Sequence, residues 1–224
     1  MNAPARQIPL RLERAPVHTA AAFVVAAPNA AAAGAVEAWP AWPGHVLALV
    51  GPEGCGKTHL ARVWADRAGA ASFQPGEGLT ALDGRPVLVE DADRIEAEAL
   101  FHLINRAPAD GGLLLTARAR PAAWPCALAD LRSRLNALTV AEIDQPDEAL
   151  LIAVLESLFR EKHIRAAPEL YEYLLRRIDR SVAAARDIVE RLDAEAHAQG
   201  RPVNRLLARE VLEGGGESLE LFGD

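Results

Sequence analysis

The chain is poor in cysteine, aromatics and positive charge, and each shortage excludes something. Its two cysteines, Cys55 and Cys126, have no metal-ligand spacing, so neither a disulfide scaffold nor a zinc site is in view. A reducing, cytoplasmic compartment is the simplest setting. The histidines His18, His45, His59, His102, His163 and His197 are scattered and form no metal pattern. No Ser–His–Asp or Cys–His arrangement can be assembled. Acidic residues outnumber basic ones, giving a formal net charge of −7, which argues against a protein whose main task is gripping nucleic-acid phosphates. No long leucine-rich run is present. Residues 19–36 are uncharged, but Pro28-Asn29 interrupts them and alanine supplies most of them, so neither an export signal nor a membrane span is expected. Aromatics make up 5% of the chain and half of it is hydrophobic, a composition suited to closely packed helices around a real core.

What is present is an anion-binding signature. Gly51-Pro52-Glu53-Gly54-Cys55-Gly56-Lys57-Thr58 fits G-x-x-x-x-G-K-[ST] in full. Val46–Val50 before it reads as a buried strand, and His59 to Ala65 after it as a helix, which is the context the motif needs. Glycines let backbone N–H groups turn toward phosphate oxygens, and a helix N-terminus adds partial positive charge there. In such loops the lysine, here Lys57, reaches the β/γ-phosphates and the hydroxyl, here Thr58, binds Mg²⁺. ATP or ADP with Mg²⁺ is the expected cofactor.

The rest of the pattern is α/β followed by α. Residues 1–16 carry Pro4, Pro9 and Pro16 and read as an extended tail. Phe23-Val24-Val25 is a short apolar run, and Asn29 is placed to cap an Ala-rich helix reaching about Trp39. Strands are expected at 86–89, 112–116 and 138–140, with a further short one at Ser72-Phe73. Helices at 96–107 and 126–135 lie between them, implying a parallel sheet covered on both faces. After Pro146 the period becomes 3.6 residues over 147–162, 168–178, 181–199 and 203–212. The expected division is therefore a tail (1–16), an α/β domain (17–145), a helical subdomain (146–213) and a second tail released at Gly214 (214–224).

Glu90 and Asp91 close the second long strand, where a Mg²⁺-binding and water-orienting acid pair belongs. Thr116 ends the next strand, near a γ-phosphate-sensing position. Arg132 and Arg134 stand two apart on a short helix and so face different directions. One of them can serve a neighbouring molecule's nucleotide as a finger, an effect worth about 10³–10⁵ in rate.

These residues together resemble AAA+ ATPases of the DnaA branch, and among them the Hda-type regulatory inactivators of the replication initiator. The likeness spans nearly the whole chain. Phe23, Val24 and Asn29 are similar to the family's leading segment beside the adenine pocket. Gly51 to Leu60, ending Lys57-Thr58-His59-Leu60, resembles its phosphate loop and following helix. Leu100 to Arg106 looks like its next helix. Leu128 to Leu135 resembles the arginine-finger box, which puts the finger on Arg134, and 147–212 resembles the AAA+ lid. The expected fold is thus an AAA+ phosphate-loop core with an all-α lid. No segment resembles DnaA's DNA-reading or N-terminal domains, so direct sequence-specific DNA binding is not expected.

Gln7-Ile8-Pro9-Leu10-Arg11-Leu12 fits Q-x-x-L-x-L and resembles the sliding-clamp-binding motif of Hda tails. An extended peptide can seat Leu10 and Leu12 in an apolar groove while Gln7 hydrogen-bonds at its rim. Ser218 to Phe222 is an imperfect second version. Several positions depart from the family. The acid order is reversed from Asp-Glu, which implies weak intrinsic hydrolysis. Arg118 stands where an Asp is usual. The lid's sensor arginine falls near Ala183, and Arg186, one turn further on, is the candidate substitute. The resemblance implies a nucleotide-bound regulator, ADP being the expected resident, that docks on the clamp and stimulates hydrolysis of ATP bound to DnaA. The sequence leaves open a self-contained AAA+ loader or remodeller, a pure adaptor, and a self-dimer that hides Gln7 or Arg134.

Overall fold

The computed structural model describes Thr19, residues 22–76 and 84–214. Within them, β1 (Val46–Val50), β2 (Ala71–Ser72), β3 (Val87–Val89), β4 (Leu113–Ala117) and β5 (Thr139–Glu142) form one sheet in the order β2-β3-β4-β1-β5. Every pairing is parallel. The near-continuous apolar runs of β1, β3 and β4 follow from burial on both faces. Leu47, Leu49, Leu88 and Leu114 point to one side and pack with α1 (Ala30–Glu37) and α2 (Lys57–Ala68). Val46, Val87, Val89, Leu113 and Leu115 point to the other, against α3 (Ala97–Asp110) and α4 (Ala129–Ala137). This alternation, with period two, decides which strand-end side chains reach the loop after β1.

Trp39, Trp42 and Trp64 fill the α1–α2 side. The Trp42 and Trp64 rings lie 5.2 Å apart and the Trp39 and Trp64 rings 6.2 Å apart, edge on. The indole of Trp42 donates to the Ala35 carbonyl (2.8 Å) and that of Trp39 to the Gly111 carbonyl (3.0 Å). Trp124, also buried, lies in the core on the opposite face.

After β5 the chain is helical: α5 (Glu148–Glu161), α6 (Pro168–Leu175), α7 (Val182–Gln199) and α8 (Arg205–Gly214). The Asp147 carboxylate caps α5 through the Leu150 amide (2.8 Å) and the Ser181 hydroxyl caps α7 through the Ala184 amide (3.0 Å). These helices have their own core, including Leu155, Phe159, Leu174, Ile188 and Leu192.

One sequence expectation changes. Asn29 sits at the N-cap of α1, but its side chain does not cap the helix. It turns back instead, accepting from the Ala26 amide (2.8 Å) and donating to the Val24 carbonyl (2.9 Å). Val24 and Ala26, in the leading segment of the α/β part, pack against the core of the helical part. α8 runs two residues past the expected helix end at 212, to Gly214; the residues beyond it, and Gln7, Ile8, Leu10 and Leu12, lie outside the described residues. Smaller shifts occur at ends. α3 continues through Pro108 to Asp110, which is buried and held by Arg106 at 3.1 Å, and α4 starts at Ala129. No helix among the described residues is long and apolar enough to cross a membrane.

Leu155 is fully buried where α5 meets α7. Leu155→Ala should cost about 2–5 kcal/mol, measured by denaturant unfolding.

Candidate nucleotide site

The loop after β1 is fitted tightly on two sides. A Cβ on Gly51 would lie 2.3 Å from the Ile143 carbonyl oxygen, so no side chain is tolerated there. Gly54 has φ +71, and a Cβ on it would lie 2.8 Å from the Ser181 Cβ. Its carbonyl accepts from the amides of Val182 (2.8 Å) and Ala183 (3.4 Å), the first residues of α7. The lid helix therefore starts directly on the phosphate-loop motif. Lys57 opens α2, and its ammonium donates to the carbonyls of Gly51 (2.8 Å) and Pro52 (2.7 Å). That places a cation against the loop at the positive end of α2, an arrangement suited to phosphate oxygens. Thr58, in the first turn of α2, is exposed. The Cys55 thiol is 1% exposed. Burial pushes its pKa up, partly offset by Lys57, so it stays protonated and is a poor nucleophile.

The acid pair lies one strand further out than β4. Glu90 follows β3 on the same face as Leu88, toward α2, where Arg62 meets it at 3.4 Å. Asp91 adopts φ +49 and its amide donates to the Thr116 hydroxyl at 3.3 Å. Thr116 is 3% exposed and pairs in register with Leu49. Glu90, Asp91 and Thr116 are thus brought to the carboxyl end of adjacent strands, the usual position for ligands of parallel sheets. No cluster of three or more acidic, histidine or cysteine ligands occurs among the described residues. A Mg²⁺ ion does not need one, since it is commonly held by one or two carboxylates, a hydroxyl and phosphates. Thr58 with Glu90 or Asp91 fits that chemistry.

On the lid side a narrow crevice brings together Phe23, Val24, Asn29, Cys55, Gly56 and His59 with Arg186. Its apolar wall comes from Leu150, Val154 and Leu158 of α5, a contribution with no local motif to announce it. Phe23 packs edge-on against His59 with ring centroids 5.3 Å apart. The His59 Nε2 donates to the Thr19 carbonyl at 3.0 Å. Burial lowers the His59 pKa; the Thr19 carbonyl opposes that shift and the charge of Arg186 adds to it. Ala183, where the sensor arginine was expected, sits against Gly54 with its Cβ 3.4 Å from a methyl placed there. Arg186 lies one turn later and faces the crevice.

The paired arginines of α4 divide as their spacing predicts. Arg132 donates to the carbonyls of Ala122 (2.9 Å) and Trp124 (2.5 Å). Arg134 is exposed, with its guanidinium carbon 5.3 Å from the centre of the Phe101 ring.

Among solved structures, domain III of the Thermotoga maritima replication initiation protein DnaA superposes with a TM-score of 0.74 at 19% identity, covering 89% of this chain and 97% of that one. The chain has the AAA+ fold of DnaA domain III. The replication initiator DnaA bound to AMPPCP and single-stranded DNA matches with a TM-score of 0.65 at 17% identity, over 80% of this chain and 66% of that one. The Thermotoga maritima RuvB branch-migration motor, another neighbour in fold, gives 0.59 at 19% identity, over 76% of this chain and 61% of that one. In sequence, the chromosomal replication initiator DnaA of Thermomicrobium roseum is 29% identical over 119 residues, 53% of this chain. The chain is a distant relative of DnaA, and the match spans 26% of that curated relative's length. No family model matches.

The depressed His59 pKa fixes a pH effect. Above about 6.5, its ordinary value, the imidazole is neutral in both folded and unfolded chains. As pH falls below that, the unfolded chain takes up the proton first, so stability is lost until pH passes the lower folded value. His59→Gln should flatten this part of the stability–pH curve, followed by thermal melts from pH 7.5 to 5.

Proposed function

We propose that this DnaA-related protein is an adenine-nucleotide-bound regulator that lends Arg134 to ATP held by DnaA and so limits replication initiation. The observation that carries the reading is the division of labour on α4. Arg132 is spent on two backbone carbonyls, whereas Arg134 stands exposed with its guanidinium over the Phe101 ring. A guanidinium so placed can stabilise charge on a partner's transferring phosphoryl group.

The chain's own nucleotide, with ADP as the expected resident, would lie along Gly51 to Thr58. Lys57 would exchange its carbonyl partners for phosphate oxygens. Phe23 and Val24 would flank the base, Arg186 would close from the lid, and Thr58 with Glu90 or Asp91 would hold Mg²⁺. When bound, the metal would offset the negative charge of the phosphates. Because α7 begins on Gly54, a filled loop would order the lid rather than supply fuel. The tail motif Gln7-Ile8-Pro9-Leu10-Arg11-Leu12 would tether the protein to the sliding clamp, in the cytoplasm, near DnaA.

A second reading, a self-contained AAA+ ATPase, is favoured by the contact between the Thr116 hydroxyl and the Asp91 amide, which keeps acid pair and strand end together. Robust ATP turnover without clamp or DnaA, abolished by Glu90→Gln, would select it.

The test mixes DNA-loaded clamp, ATP-bound DnaA and this protein. Arg134→Ala should bring DnaA-bound ATP hydrolysis back near the rate without the regulator, while melting is unchanged because the side chain is exposed. Stimulation equal to the parent's would overturn the mechanism. Removing residues 1–12 should abolish clamp co-elution and leave ADP affinity intact.

A further inference from the structure

β1 and β4 are neighbours and end in register, Val50 beside Ala117. The next residues therefore leave the sheet side by side: Gly51 into the phosphate loop and Arg118 into the turn after β4. Across that step Arg118 forms an ion pair with Glu53 of the loop at 2.8 Å. Both side chains are largely exposed, at 52% and 75%. An exposed ion pair adds little to stability, so its placement calls for another explanation. A carboxylate on the rim of an anion-binding loop opposes the loop's own field, and every negative charge added to a bound ligand raises that opposition.

We infer that the Glu53–Arg118 pair sets the preference between nucleoside diphosphate and triphosphate in this loop, an inference that rests on the adenine-nucleotide reading above. With a diphosphate the pair stays closed and the carboxylate is neutralised. A terminal phosphate brings further negative charge to the outer end of the loop. The Arg118 fork suits a phosphate's paired oxygens at least as well as a carboxylate's. The triphosphate therefore draws Arg118 away, and Glu53 is left unpaired beside the new charge. The diphosphate is the favoured ligand, and the carboxylate is the cause.

The experiment is calorimetric titration of the full chain with ADP and with a non-hydrolysable ATP analogue, each with Mg²⁺. Glu53→Gln should strengthen analogue binding relative to ADP by about tenfold. Arg118→Ala, which leaves the carboxylate unneutralised, should weaken analogue binding relative to ADP by a similar factor. Both positions are exposed, so melting temperatures should stay near the parent's, and a merely structural pair would shift both ligands alike. If ADP binds and the analogue-to-ADP ratio is the same in parent and both variants, the inference is overturned. If the parent binds neither nucleotide, the nucleotide reading falls and takes this inference with it.

Discussion

The carbonyl of Gly54 accepts the first amides of α7, so the phosphate loop and the lid meet in a shared backbone junction. On its other flank the loop passes so close to Ile143 that Gly51 has no room for a side chain. A loop pinned between the end of β5 and the start of a lid helix has little freedom to drift. Its position also determines what else reaches it. Ser181 sits over Gly54, Ala183 is pressed against the loop, and Arg186 is brought round by one helical turn to the crevice holding Phe23 and His59. The leading segment joins the same arrangement. Asn29 holds residues 24–26 in place, and Val24 and Ala26 rest on the lid core. The lid is thus attached from two directions, through α7 to the loop and through this strap to α1.

Charge is distributed against the grain of the composition. The whole chain is acidic, yet around the loop cations and anions alternate: Lys57 on carbonyls, Arg62 on Glu90, Arg118 on Glu53. Most of these cations are already engaged within the molecule. Arg134, which among the described residues lies against the Phe101 ring, is differently placed, and that contrast is why it is the side chain assigned to a second molecule.

Much of this was legible in the sequence because it is local. The loop motif names its own residues, the apolar runs of β1, β3 and β4 mark the sheet, and the change of period after Pro146 marks the lid. The i, i+2 spacing of Arg132 and Arg134 already said that the two would face different directions. What was illegible is long-range. Nothing near Glu53 in the chain points to Arg118; they meet only because β1 and β4 are adjacent and end in step. The apolar wall from α5 and the docking of α7 on Gly54 depend in the same way on how the lid sits. Asn29 misled for a different reason. It occupies a cap position, but the backbone groups at 24–26 compete for the same amide and win. Gly214 carries a breaker's composition, yet α8 runs on far enough to include it.

The tryptophans and tyrosines have a consequence of another kind. Trp39, Trp42, Trp64 and Trp124 all lie in the α/β body, with Trp39 and Trp42 both against Trp64, whereas the tyrosines Tyr171 and Tyr173 lie on α6. Excited where indole absorbs and phenol scarcely does, the molecule would emit only from its α/β part. Indole emission would therefore report on the α/β body rather than on α6. The chain thus carries a built-in optical label that separates the fate of one half from that of the other.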